Sequence, residues 1–114
     1  MNWTPLTSEQ ELQLLLKESH SQPILLFKHS TSCNISTTAK ARLERKWKDT
    51  DNATVKPVYL DLLNYRAISQ KIAELTGVRH ESPQAIVLKD GKATYNASHS
   101  GIYYDDILAA SQGV

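Results

Sequence analysis

The 114-residue chain is 40% apolar and carries 13 basic against 12 acidic side chains, the proportions of one globular domain over 1–114. So even a charge balance removes the electrostatic case for a nucleic-acid partner, which needs a surplus of Lys and Arg on one face. The single cysteine excludes a disulfide scaffold, and the longest apolar runs, such as Ile24 to Phe27, fall far below the ~20 residues that cross a bilayer, so no membrane partner is expected.

In chain order, Ser8 and Glu11 form a capping box ahead of Leu12, Leu15 and Leu16, which predicts an amphipathic helix to about His20. The apolar run Pro23 to His29 is too short for a helix and predicts a buried strand, left through Ser30-Thr31-Ser32. From Cys33, the positions Ile35, Ala39, Leu43 and Trp47 advance by fours, predicting a second helix with these side chains inward and a basic last half. The polar run Asp49 to Thr54 breaks the pattern, and Val55 to Asp61 predicts a second strand with Pro57 near its start or edge.

Asn64 is the expected cap of a third helix with Ile68, Ile72 and Leu75 inward, ended by Gly77 in a left-handed conformation. Gln84 to Lys89 and Lys92 to Tyr95 predict two strands joined by an Asp90-Gly91 hairpin turn, and Asp105-Asp106 before Ile107 to Ala110 predicts a closing helix. Strands joined through a helix run parallel with right-handed crossovers, and a terminal hairpin returns antiparallel. The expected fold is therefore α/β, a mixed four-stranded sheet with helices on both faces, by analogy a thioredoxin-like domain.

Cys33 falls where the first strand gives way to the second helix. The free backbone N–H groups of Ile35 and Ser36 and the positive end of the helix dipole favour thiolate over thiol there, so an accessible, ionised cysteine is expected. The hydroxyls of Ser32 and Ser36 could add donors, and Lys28 and His29 could add positive charge if the chain turns back. A free cysteine more often fills a core, but one flanked by Ser32 and Asn34 on a polar helix lip is poorly suited to do so.

Two stretches, Phe27-Lys28-His29-Ser30-Thr31-Ser32-Cys33-Asn34-Ile35-Ser36 and Thr76-Gly77-Val78-Arg79-His80-Glu81-Ser82-Pro83-Gln84, together with the hairpin that follows, resemble the YtxJ-type monothiol bacilliredoxins of the bacillithiol system. The resemblance covers nearly the whole chain. It implies a thioredoxin-like fold and a thiol-disulfide oxidoreductase whose single nucleophile, Cys33, removes bacillithiol from mixed disulfides on client proteins. Bacillithiol, a cytoplasmic thiol of cysteine, glucosamine and malate, is then a co-substrate rather than a bound cofactor. The family commonly reads Thr-Cys-Pro-Ile-Ser, so Ser32 and Asn34 depart from it while Ile35 and Ser36 match, and Asn34 restores an N–H that proline lacks. The resemblance also implies a cis Ser82-Pro83 bond facing Cys33, with Arg79, His80, Glu81 and Ser82 on the far wall of the groove and Arg79, or second Lys28, meeting the malate carboxylates.

Two other readings remain at this point: a glutaredoxin-like protein using glutathione, and a binding module whose Cys33 is only a redox-sensing or structural thiol. The start Met1-Asn2-Trp3-Thr4-Pro5 lacks the pattern of a signal peptide, which makes the cytoplasm the expected compartment. On that reading the Asn-x-Ser/Thr triplets at Asn2, Asn34, Asn52 and Asn96 are chance matches. His20, His29, His80 and His99 never fall at metal-ligand spacing, so no metal is expected. The basic run from Lys40 to Lys48 is expected to be a solvated helix face.

Overall fold

The computed structural model describes residues 1–112. It contains β1 (Thr4–Pro5), α1 (Glu9–Glu18), β2 (Ile24–His29), α2 (Asn34–Lys46), α3 (Asp51–Thr54), β3 (Lys56–Asp61), α4 (Arg66–Thr76), β4 (Gln84–Lys89), β5 (Lys92–Ser98), a 3-10 turn (His99–Gly101) and α5 (Tyr104–Gln112). The sheet is mixed, as expected, but five-stranded, in the order β1-β3-β2-β4-β5. The extra strand is two residues long, with Thr4 opposite Val58 and Pro5 opposite Tyr59. Proline has no N–H to give a ladder and is tolerated at such an edge, so the pairing leaves no alternation in the sequence to read.

β2 is the central strand, parallel to β3 and antiparallel to β4, and all six of its residues are buried. Successive side chains leave a strand on opposite faces. Ile24 and Leu26 accordingly enter the core that holds Leu12 of α1 and Ile72 of α4. Leu25 and Phe27 enter the core that holds Leu43 of α2 and Ile107 of α5. The sheet thus has helices on both faces, and the end of β2 and the start of β4 bring the loops around Cys33 and Pro83 to one end, because Lys28 stands opposite Gln84.

Several local expectations hold. Ser8 Oγ accepts from the Glu11 N–H at 3.1 Å, although the Glu11 carboxylate takes the hydroxyls of Thr7 (2.6 Å) and Ser8 (3.4 Å). Gly77 closes α4 at φ 72, and Asp90 (φ 54) and Gly91 (φ 77) are both left-handed, the two-residue hairpin geometry.

Others are corrected. In α2 the inward line is Ser36, Ala39 and Leu43, while Ile35 is 52% exposed and Trp47 is buried just beyond the helix. Residues Asp51–Thr54 form the short α3, whose Asp51 carboxylate accepts from the Lys48 N–H (2.9 Å) and the Tyr104 hydroxyl (2.5 Å). Tyr65, not Asn64, is the cap residue of α4, because the Asn64 amide is committed to Asp61 at 2.7 Å. Leu75 lies exposed near the end of the same helix, and β5 runs on to Ser98 instead of stopping at Tyr95.

Candidate functional site

Cys33 is the N-cap residue of α2, in extended conformation (φ −110, ψ 119), half-buried, and free of any disulfide. Its backbone is fixed at both ends. Its N–H donates to Ser30 O (3.1 Å), and its carbonyl accepts from the N–H (3.1 Å) and the hydroxyl (3.3 Å) of Thr37. No side chain caps this helix, so the N–H groups of its first turn, Asn34, Ile35 and Ser36, have no partner within the helix. A negative sulfur beside them has the helix dipole in its favour. Asn34, as the first helical residue, contributes an N–H where proline would have none.

Ser36 does not offer the free donor that the sequence suggested. Ser36 is fully buried and turns away into the protein: its Oγ accepts the Ser30 N–H at 3.0 Å and lies 2.7 Å from His29 Nδ1. Burial and the Lys40 charge both press the His29 pKa down, against smaller opposing effects of Asp61 and Glu44. His29 is therefore a neutral strut under the first turn of α2 rather than a source of positive charge. Ser32 is exposed, its Oγ 3.2 Å from Ser30 Oγ.

Across the sheet end, Ser82-Pro83 is cis, in agreement with the expectation. The Pro83 carbonyl accepts from the His99 N–H at 3.0 Å, and Ser82 Oγ is buried without a partner. Gln84, which the sequence presents only as the start of a strand, organises this loop. Its amide donates to Arg79 O at 2.9 Å and its Oε1 accepts from the Glu81 N–H at 3.4 Å. The available signal was a polar residue at the head of an otherwise apolar strand, since a buried amide must find partners.

Lys28 is the second basic residue of the β2 end, and it leaves the sheet on the face opposite His29. Its side chain is fully buried, with Nζ donating to Ser69 O at 3.3 Å and lying 3.2 Å from His80 Nδ1. Burial lowers its pKa to about 8. His80 Nδ1 is also 3.2 Å from Ser69 Oγ, and its pKa is lowered by burial first and by the Lys28 charge second, with Glu81 opposing.

Two cavities flank the site on the two faces. One, of about 290 Å³, lies along α2 between Asn34, Ile35, Thr38, Arg42, His99 and Ser100. The Arg42 guanidinium stacks 5.0 Å over the Tyr103 ring there. The other, of about 390 Å³, is framed by Leu62, by Arg66, Ser69, Gln70 and Glu74 of α4, and by His80. Arg79 lines neither: it is exposed, and the contact that holds it is made by its carbonyl. Ile35 and Asn34 line the first cavity, His80 the second, and neither Arg42 nor Arg66 was singled out by the sequence.

Residues 4–107 match the family model of the monothiol bacilliredoxin BrxC. The chain belongs to the monothiol bacilliredoxin family. Its architecture is that of solved thioredoxin folds. A protein described as having a thioredoxin fold superposes with a TM-score of 0.80 at 27% identity, over 97% of this chain and 94% of that one. Thioredoxin of Malassezia sympodialis gives 0.75 at 14% identity over 97% and 89% of the two chains. Thioredoxin of Fasciola hepatica gives 0.71 at 16% identity over 95% of each. Family and fold together support a thiol redox role.

Proposed function

We propose that this bacilliredoxin removes bacillithiol from mixed disulfides on client proteins, with Cys33 as the sole nucleophile. The reading is carried by one observation: the only cysteine of the chain is a half-exposed N-cap residue, with no second thiol to resolve a disulfide. The Cys33 thiolate attacks the bacillithiol sulfur of the mixed disulfide. A Cys33–bacillithiol bond forms, the old bond breaks, and the client leaves as thiolate. A second bacillithiol thiolate attacks the adduct, producing bacillithiol disulfide and restoring Cys33 as thiolate, so one free bacillithiol thiol is consumed for each client thiol released and one disulfide replaces another.

The first-turn N–H groups of α2 favour the negative sulfur both as attacker and as leaving group. Ser32, Asn34, Ile35, Ser82 and Pro83 are the residues proposed to seat the adduct, Ser36 acting through the helix turn it anchors.

The test is mass spectrometry of a bacillithiolated model protein incubated with the wild-type chain and with Cys33→Ser. The expected result is loss of bacillithiol from the model protein and a Cys33 adduct of matching mass, both absent with Cys33→Ser. Equal removal of glutathione and bacillithiol by the wild type would overturn the choice of thiol and leave only monothiol exchange. Persistence of the mixed disulfide with both thiols would favour a binding module.

A further inference from the structure

Lys28 poses a problem that the exchange chemistry does not use. An ammonium group fully removed from solvent is ordinarily matched by a carboxylate, yet its hydrogen-bond partners are Ser69 O and His80 Nδ1, both neutral, and no ion pair among the described residues includes it. Both partners belong to the wall of the 390 Å³ cavity, so the buried charge lies directly behind that wall.

The His80 ring passes the charge on. The ammonium can only donate, so Nδ1 accepts and the imidazole proton resides on Nε2. The two ring nitrogens point to opposite sides, which directs Nε2–H away from Lys28, on the exposed side of the residue. A donor polarised by a cation behind it is stronger than an isolated imidazole. Arg66, one turn ahead of Ser69 and Gln70 on α4, adds a guanidinium fork to the same cavity. Glu74 is the one carboxylate on the wall, and it has a cationic neighbour in Lys71 at 3.8 Å. The cavity thus collects two fixed positive charges and a polarised N–H around a space large enough to admit a small organic anion.

We propose that this cavity is a subsite for a small carboxylate, held by His80 Nε2–H and the Arg66 guanidinium, with the Lys28 ammonium as the buried counter-charge. A planar carboxylate matches the fork of Arg66 in a way that a tetrahedral anion does not. The subsite stands on the cavity and its charges and is independent of the exchange reaction at Cys33. The carboxylate can be a free dicarboxylate or the malate end of a thiol co-substrate; the chemistry is the same.

The experiment is a nuclear magnetic resonance titration of the full chain with L-malate, with malamide as its uncharged analogue and inorganic phosphate as its tetrahedral rival. Saturable shifts at His80 and Arg66 with malate alone are expected. Affinity should fall about tenfold or more in Arg66→Met and in His80→Phe, as for loss of a charge-assisted bond. Arg66 and His80 are exposed, so these variants are expected to keep the fold, which the unperturbed spectrum elsewhere would show. Lys28→Met, which touches no bound anion, should also weaken malate binding. Unchanged affinity in Arg66→Met and His80→Phe, equal binding of malamide, or tighter binding of phosphate would each overturn the proposal.

A second arm identifies the source. Malate that raises KM for a bacillithiol mixed disulfide without changing kcat assigns the subsite to the thiol's own carboxylates. Malate that binds without slowing exchange assigns it to a free dicarboxylate. Because the titration needs no thiol, failure of the bacillithiol assignment and failure of the subsite are separate outcomes.

Discussion

Lys28 and His29 are adjacent, both basic and both buried at the end of β2, but the two faces of the sheet treat them in opposite ways. On the α2 face, His29 is neutral and its Nδ1 is closed into a network with Ser36 Oγ and the Ser30 N–H. On the α4 face, Lys28 is a cation whose hydrogen bonds are made but whose charge is not matched. Satisfied neutral burial produces rigidity, here under the turn that carries Cys33. Unmatched charge produces a field, here behind a cavity. The lesson is that burial alone does not assign a role: the hydrogen-bond inventory and the charge inventory must be closed separately.

The comparison breaks most visibly at Ser36. Ser36→Ala leaves both the Ser30 N–H and His29 Nδ1 without a partner, and buried unsatisfied groups cost about 1–3 kcal/mol each. A loss of roughly 2–4 kcal/mol in urea-unfolding stability is therefore expected, with slower disulfide exchange because the first turn of α2 loses its anchor. A stability within about 0.5 kcal/mol of wild type would mean that the network is incidental.

The opposite sign is expected at Lys28. Replacing an unmatched buried ion with an apolar side chain of similar length is often neutral or stabilising by about 1–4 kcal/mol. Lys28→Met should therefore unfold at equal or higher urea concentration than wild type, by an increment toward the lower end of that range. Marked destabilisation would show that the Ser69 and His80 bonds outweigh the cost of the charge. Adjacent substitutions with opposite effects are what distinguish the two faces.

How much of this was legible depends on sequence distance. The placement of Cys33 at a strand-to-helix junction, the hairpin at Asp90-Gly91 and the helical stop at Gly77 are local events written in adjacent residues. In α2 the row spaced by fours places Ala39, Leu43 and Trp47 inward, as found, and fails only at its first position, Ile35. Ile35 looked like the first core residue, whereas Ser36 occupies that place since its hydroxyl serves two buried groups. Lys28 could be singled out but not placed, because its partners Ser69 and His80 lie 41 and 52 residues away. The resemblance points to Arg79 through the motif around Pro83, whereas Arg66 stands on α4, outside both motif stretches, and only the fold brings it to the cavity with His80.

The smallest expected effect is in the pH dependence, and its two windows separate the faces once more. His29 and His80 have lowered pKa values, so below their ordinary value of 6.5 the unfolded chain binds protons that the folded chain refuses. Stability therefore falls as the pH drops through that region, on both faces. Lys28 acts in a different window. Its pKa is lowered to about 8 from 10.5, so between these values the unfolded chain again binds more protons than the folded one. Stability attributable to Lys28 therefore rises from about pH 8 toward pH 10, as the folded side chain sheds its charge while the unfolded one keeps it. Above about 10 the raised pKa values of Tyr95 and Tyr104 work the other way, because the unfolded chain loses phenolic protons that the folded chain retains. Urea midpoints measured from pH 7 to 10 should thus climb in wild type and climb less in Lys28→Met, with His29→Gln leaving the rise in place. The increment is bounded by the charging penalty that Lys28→Met removes outright, which is why it ranks last. A flat wild-type profile, or the same rise in Lys28→Met, would show that the Lys28 ammonium is not held at the cost its surroundings imply, and the contrast between the two faces would then reduce to packing.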